Sequence, residues 1–200
     1  MARVLSCCAS GGPVPAAHPS YPDRDGFGRT TMAMSESEIF AAVRAQCQRL
    51  AAIAIDNGLV IGIVKPHGAL YHDANAQPAL ALAVVDAARA ALGDALIVIG
   101  PPTGAIADVT RDLGLQFWRE GFADRRRRAD GTLVPRAEPD ALITDPGEAA
   151  TQAVQLAAEV EIIACHGDTP GALSIAAAIR MELHRRRIVA ARGTAVDRWR

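Results

Sequence analysis

Residues 59–64, Leu-Val-Ile-Gly-Ile-Val, form an apolar run without interruption, bounded by Gly58 and by Pro66-His67-Gly68. A run of this kind, closed by turn residues, predicts a strand buried on both faces. Before it, Ile39, Val43, Cys47, Leu50 and Ala54 recur at three- to four-residue spacing, the period of a helix that buries one face. Ser35-x-x-Glu38 opens that helix as a capping box, and Gly58 ends it. The alternation continues, with strands predicted at 95–99, 115–118 and 161–165. Helices are predicted at 78–92, 104–113, 145–158 and 170–187, the third opened by Asp145-Pro146-x-Glu148. Residues 1–16 show no period and hold Gly11-Gly12-Pro13 and Pro15, so they read as a disordered leader. Residues 17–187 then form a single domain, and 188–200 a tail without a predicted element.

Strand, polar loop and helix in repeating order predict an α/β fold with a parallel sheet. The polar residues gather after strand ends: His67, then Asp124-Arg125, then His166 with Asp168. A β/α barrel and an open doubly wound sheet both collect such residues at the C-terminal ends of their strands. Periodicity alone does not choose between them.

Val64-Lys65-Pro-His67-Gly is the most pointed of these strand ends. Lys65 is the sole lysine of the chain, every other cationic side chain being arginine or histidine. A compact, deprotonatable ammonium is what arginine cannot supply. Lys65 and His67, two apart on an extended segment, point the same way, which suits charge stabilisation with proton transfer. The bland alternative is a surface lysine beside a turn histidine. His166-Gly-Asp168-Thr169-Pro-Gly171 places a histidine and a carboxylate before a helix N-terminus, where an anion can bind; alternatively Asp168 or Thr169 caps that helix. His18-Pro-Ser-Tyr-Pro-Asp23-Arg24 is a loop rich in chemistry-bearing side chains. In the run Arg125–Arg128, residues 126–128 read as a solvated face and Arg125 as a site residue. The histidines and aspartates admit a divalent metal, but no His-Glu-x-x-His spacing is present and no residue is assigned to one. Neither a phosphate-binding Gly-x-x-x-x-Gly-Lys loop nor a Gly-x-Gly-x-x-Gly fingerprint occurs.

Composition narrows the class. Half the residues are hydrophobic, 22% are charged and the formal net charge is -1, an ordinary globular balance that argues against a nucleic-acid surface. No apolar run approaches the ~18 residues of a membrane span, and the short apolar start is too brief for a signal peptide. Cys7, Cys8, Cys47 and Cys165 show neither a Cys-x-x-Cys pair nor zinc-ligand spacing, which favours a reducing cytoplasm.

Four segments together resemble a known family. They are His18-Pro-Ser-Tyr-Pro-Asp-Arg-x-Gly-Phe-Gly-Arg29, Val64-Lys-Pro-His-Gly-Ala-Leu-Tyr71, Glu120-Gly-Phe-Ala-Asp-Arg125 with Asp130-Gly-x-Leu133 and Pro135-Arg136, and His166-Gly-Asp-Thr-Pro-Gly171. In this order they resemble the LamB/YcsF family, the lactam-utilisation proteins of the 5-oxoprolinase type, over residues 17–187. The resemblance implies a β/α barrel of the distorted TIM type, similar to glycoside-hydrolase and deacetylase barrels. It implies ATP-dependent cleavage of the lactam of 5-oxo-L-proline to L-glutamate, with ATP (and Mg2+) as cofactor and two further 5-oxoprolinase subunits as partners. On this reading Lys65, His67, His166 and Asp168 are catalytic. His18, Asp23, Arg24, Tyr71, Phe122, Asp124 and Arg125 bind substrate. The family's opening acidic motif and its Asn-x-Ala-Cys-Gly-Phe-His motif are not found here. That departure sets beside the first reading a truncated, inactive member that only binds partner subunits; the histidines and the likeness to deacetylase barrels add a metal-dependent amidohydrolase or deacetylase.

Overall fold

The computed structural model describes residues 2–10, 13–128 and 131–188; residues 189–200, nearly all of the tail, lie outside them, as does Asp130. The chain forms two compact units, one reaching to Trp118 and one beginning at Arg119, where the sequence suggested a single domain.

The first unit holds α1 (Ala2–Ala9), α2 (Glu36–Ile55), β1 (Ile63–Val64), α3 (Gly68–Ala76), α4 (Pro78–Leu92), β2 (Ile97–Gly100) and α5 (Ala105–Asp112). β1 and β2 pair in parallel, Ile63 opposite Ile97 and Val64 opposite Val98. Ser35 caps α2 with both hydrogen bonds of a capping box, to and from Glu38. The helix buries Ile39, Val43, Cys47 and Ala54 of the stripe its spacing foretold, and Leu50 packs half-buried against the same core. Burial pushes the Cys47 thiol up to about 12, so it packs as an apolar group. α4 is nearly all alanine, leucine and valine and buries seven of these side chains in the same core.

Two expectations change here, and one helix is added that the sequence does not predict. The leader reading is corrected over residues 2–9, which form α1: Leu5 and Cys8, three apart, are buried in the core, and three-residue spacing is enough for one short helical face. The strand expected over 59–64 is paired only at Ile63–Val64, although Leu59 and Ile61 are buried. Helix α3 carries His72, Asp73 and Asn75 among few apolar residues, so its sequence lacks a stripe, yet it buries Leu70, Tyr71 and Ala74.

The second unit takes in the end of β3 (Gln116–Phe122), then α6 (Pro146–Leu156), β4 (Ile162–Ala164) and α7 (Ala172–Arg185). β3 and β4 are parallel, with Phe122 opposite Ala164, so both strands end at the same level. Asp145 caps α6 by accepting from the Glu148 amide, but the Glu148 carboxylate pairs with Arg126 at 2.7 Å rather than closing a capping box. Ala149, Ala150 and Ala153 of α6 and Ile175 and Ile179 of α7 form this unit's core with Ala123 and Ile143.

Candidate functional site

In the first unit the site residues gather where β1 ends. The segment from Ala17 to Pro19 runs parallel to β1: the Ala17 amide donates to Ile63, the Lys65 amide to Ala17 and the His67 amide to Pro19, at 2.8–2.9 Å. The loop then returns, and Gly28 offers its carbonyl to the Ala69 amide in the first turn of α3. Gly68 makes this return possible: its φ is +60°, and a Cβ there would run into the Gly28 carbonyl. His18 and His67 are thereby brought edge to face, with ring centroids 4.8 Å apart. His18 Nδ1 lies 2.6 Å from the Lys65 carbonyl, His18 Nε2 lies 3.0 Å from His67 Nδ1, and His67 Nε2 lies 2.9 Å from the Phe27 carbonyl. The Lys65 ammonium sits 6.0 Å from the centre of the Tyr71 ring, a cation–π contact. Tyr71 is buried at 4% exposure and serves as the floor under Lys65.

Asp23 and Arg24 are placed differently. The Asp23 carboxylate accepts from the Gly26 amide at 2.8 Å and shapes the turn. With Arg24, Asp25, Thr30 and Met32 it lines an open groove of about 650 Å³ that includes neither Lys65 nor the two histidines. Tyr21 donates to Asp73 at 2.9 Å, and burial followed by that carboxylate pushes its hydroxyl up to about 12.

In the second unit Asp124 is the centre. It follows the last residue of β3 by two positions and has no exposed surface. Its carboxylate receives the His166 ring Nδ1 at 3.0 Å, the His166 backbone amide at 2.9 Å and the Thr169 hydroxyl at 2.6 Å. Burial pushes the Asp124 carboxyl up, but the hydrogen bonds from His166 and Thr169 outweigh it and hold the group below its ordinary value, ionised. The neighbouring Cys165 thiol is raised, by burial first and then by the Asp124 charge. The Phe122 ring stacks on His166 at 5.3 Å with 14° between planes. The imidazole is thus held by one nitrogen and one face, and Nε2 is left as the nitrogen that can exchange a proton with a substrate.

Asp168, read as catalytic, forms a two-pronged ion pair with Arg136 at 3.1 and 3.4 Å. Arg125, read as substrate-binding, is only 6% exposed and donates its guanidinium to the carbonyls of Val134 (2.6 Å) and Ala141 (3.4 Å). It clamps the loop beneath the site. Arg126, Arg127 and Arg128 pair with Glu148, Glu159 and Glu138 on the surface, the solvated face expected of them. Three contributors do not read from sequence as site residues: Thr169 on Asp124, which reads there only as a possible helix cap, Arg136 on Asp168, and Gln152, whose amide donates to the carbonyls of Phe122 and Arg125. Thr169 and Arg136 sit inside the quoted motifs, but their partners are 45 and 32 residues away and no local pattern reveals them. Among the described residues no three His, Cys, Asp or Glu side chains converge as a metal site requires, and no helix is long and apolar enough to cross a membrane.

Known proteins match this chain along nearly its whole length. The chain is 42% identical to the 5-oxoprolinase A subunit of Methylococcus capsulatus, the match spanning 96% of this chain and 80% of that one. It is likewise 42% identical to the corresponding 5-oxoprolinase protein of Chloroflexus aggregans, over 90% of this chain and 77% of the relative. The crystal structure of a lactam utilization protein from Thermus thermophilus superposes with a TM-score of 0.81 at 34% identity, covering 93% of this chain and 79% of the other. That likeness sets the fold class as α/β of the TIM-like, β/α-barrel kind. The family match runs over residues 1–197 and so takes in residues 1–16, which lie outside the stretch 17–187 of the four-segment resemblance. The chain belongs to the LamB/YcsF family.

Proposed function

We propose that this chain is the lactam-handling subunit of an ATP-dependent 5-oxoprolinase, opening 5-oxo-L-proline to L-glutamate in company with two further subunits. The observation that carries the reading is the Asp124–His166 pair. A buried, ionised carboxylate fixes Nδ1 as the protonated nitrogen and leaves Nε2 basic, the arrangement of a general base. The names of the relatives supply the substrate class.

In the reaction, His166 Nε2 takes a proton from water as the water oxygen bonds to the lactam carbonyl carbon. The ring C–N bond then breaks, the nitrogen takes up a proton, and the carboxylate and amine of glutamate result. Lys65, carried by the first unit, is the motif residue that the family resemblance makes catalytic, and its compact cation suits the neutralising of negative charge. An unstrained five-membered lactam gives hydrolysis little driving force; bound ATP would supply it by transferring its terminal phosphoryl group to the amide oxygen and leaving as ADP, so that ring opening by the first water gives an acyl phosphate, which a second water hydrolyses to the glutamate carboxylate and inorganic phosphate. The sequence has no glycine-rich phosphate loop, and the described residues offer no carboxylate cluster for Mg2+. This chain's residues are therefore assigned to lactam and water, and none to the nucleotide or its metal. The four free cysteines suit a reducing compartment, and we place the enzyme in the cytoplasm.

The test is ATP-dependent glutamate release from 5-oxoproline by the chain assembled with its partner subunits. The unaltered chain should support it and His166→Gln should not. Absence of glutamate with the unaltered chain would sink the substrate assignment; full activity in His166→Gln would sink the role of His166.

A further inference from the structure

The proton inventory of the His18–His67 pair does not close if both rings are neutral. The carbonyl oxygens of Lys65 and Phe27 can only accept, so His18 Nδ1 and His67 Nε2 each carry a proton. A neutral imidazole has a single N–H. Two neutral rings would therefore point bare lone pairs at each other, His18 Nε2 toward His67 Nδ1, across 3.0 Å. A cation between the two nitrogens removes that repulsion, and with a proton the contact becomes a charge-assisted hydrogen bond. A metal ion would need further ligands, and among the described residues no third His, Cys, Asp or Glu completes such a group. A proton needs none.

We propose that His18 and His67 share one proton and act as a single unit of charge +1 at neutral pH. The unit links the Lys65 carbonyl at the end of β1 to the Phe27 carbonyl at the far side of the loop, through both rings. It thus closes in side chains the same circuit that the amides of Lys65, His67 and Ala69 close in backbone. With all four ring nitrogens engaged, His67 is a positioning residue for the Lys65 segment and does not handle the substrate's protons. Lys65 and Arg29 place like charge on the surrounding segments; the loop also carries Asp23, Arg24 and Asp25. On α3 the ionisable groups are Tyr71, His72 and Asp73, the last engaged by Tyr21. α2 presents Gln46, an uncharged amide, to Ser20. Only the significance for Lys65 rests on the proposed lactam chemistry; the shared proton does not.

The experiment reads the histidines directly, apart from any activity. Imidazole nitrogen resonances of the five histidines in the full, 15N-labelled chain are followed from about pH 5.5 to about pH 9, either side of the ordinary histidine value of about 6.5. At about pH 7.5, where an isolated histidine is mostly neutral, the pair should still hold three protons on four nitrogens. The two inner nitrogens should show shifts between the bare and protonated extremes, and the extra proton should leave in one step. In His18→Gln, His67 should titrate alone, near about 6.5. Two rings that are both neutral at about pH 7.5, or that titrate independently near about 6.5, overturn the proposal. So do inner-nitrogen shifts that collapse with chelator and return with Zn2+, which would put a metal where the proton is placed. Should His18→Gln fail to fold, the titration of the unaltered chain decides alone.

Discussion

His67 and His166 each follow the end of a strand within a few residues, yet their surroundings give them opposite capacities. His166 has a fully buried carboxylate behind Nδ1 and an aromatic ring on one face. The carboxylate fixes the proton on Nδ1 while the far nitrogen stays available. His67 has a carbonyl at one nitrogen and a second histidine at the other. That arrangement traps charge and commits both nitrogens to the loop. Motif position placed both histidines at strand ends; only the second layer of contacts separates a group that moves a proton from one that holds it.

The sharpest way to break the comparison is Asp124→Asn. The amide cannot hold His166 Nδ1–H as an ionised carboxylate does, so the ring takes the wrong tautomer, and glutamate release should fall by about 10³–10⁴-fold. The same carboxylate predicts an acid limb in stability. Its folded pKa is depressed, so its contribution is complete above the unfolded value of about 3.9 and is lost as pH falls through the lower folded value. Asp124→Asn should flatten that limb in denaturant titrations taken at successive pH values. Next in size is Lys65→Met. Removing one charge-stabilising donor should lower kcat/KM by about 10²-fold, and Lys65→Arg should not restore it, because a guanidinium lying flat on the Tyr71 ring spreads its charge over a plane, whereas the ammonium is a compact point charge.

Gly68→Ala tests the His67 side of the comparison through stability. The left-handed φ of +60° and the close Gly28 carbonyl leave no room for a Cβ, and the loss should be about 1–3 kcal/mol in a denaturant midpoint. The effect should be accompanied by exposure of the loop that carries His18, measured as faster hydrogen exchange at the Ala69 and His67 amides. Unchanged exchange at both amides would mean that the loop is not held there.

What was legible in the sequence follows the range of the interactions. α2 was readable because its cap lies three residues from its partner and its stripe is regular. The position of His166 after β4 was readable from an apolar run with a polar end. α3 was not, because its helical state depends on burying Leu70, Tyr71 and Ala74 against the first core rather than on any stripe of its own. Arg125 shows the same limit in the site. Sequence places an arginine at a strand end, where it looks poised for substrate, but whether its guanidinium reaches solvent or the Val134 and Ala141 carbonyls is decided by a loop 9 to 16 residues further on. Thr169 has the sequence position of a helix cap, yet α7 begins at Ala172 after a left-handed Gly171, which frees the hydroxyl for Asp124.

The smallest predicted effect concerns the face of His166. Phe122 reads from sequence as a substrate contact, and in the structure its ring is buried at 8% exposure and lies nearly parallel to the imidazole. An aromatic pair of this kind is worth about 0.5–1.5 kcal/mol beyond the area it buries. Phe122→Leu keeps the apolar bulk and removes the flat surface, so kcat should fall by about two- to tenfold while the acid limb of stability set by Asp124 stays where it was. A rise in KM at constant kcat would return Phe122 to the role of substrate contact. A fall in kcat at constant KM would place it behind His166, as one more part of what distinguishes this histidine from His67.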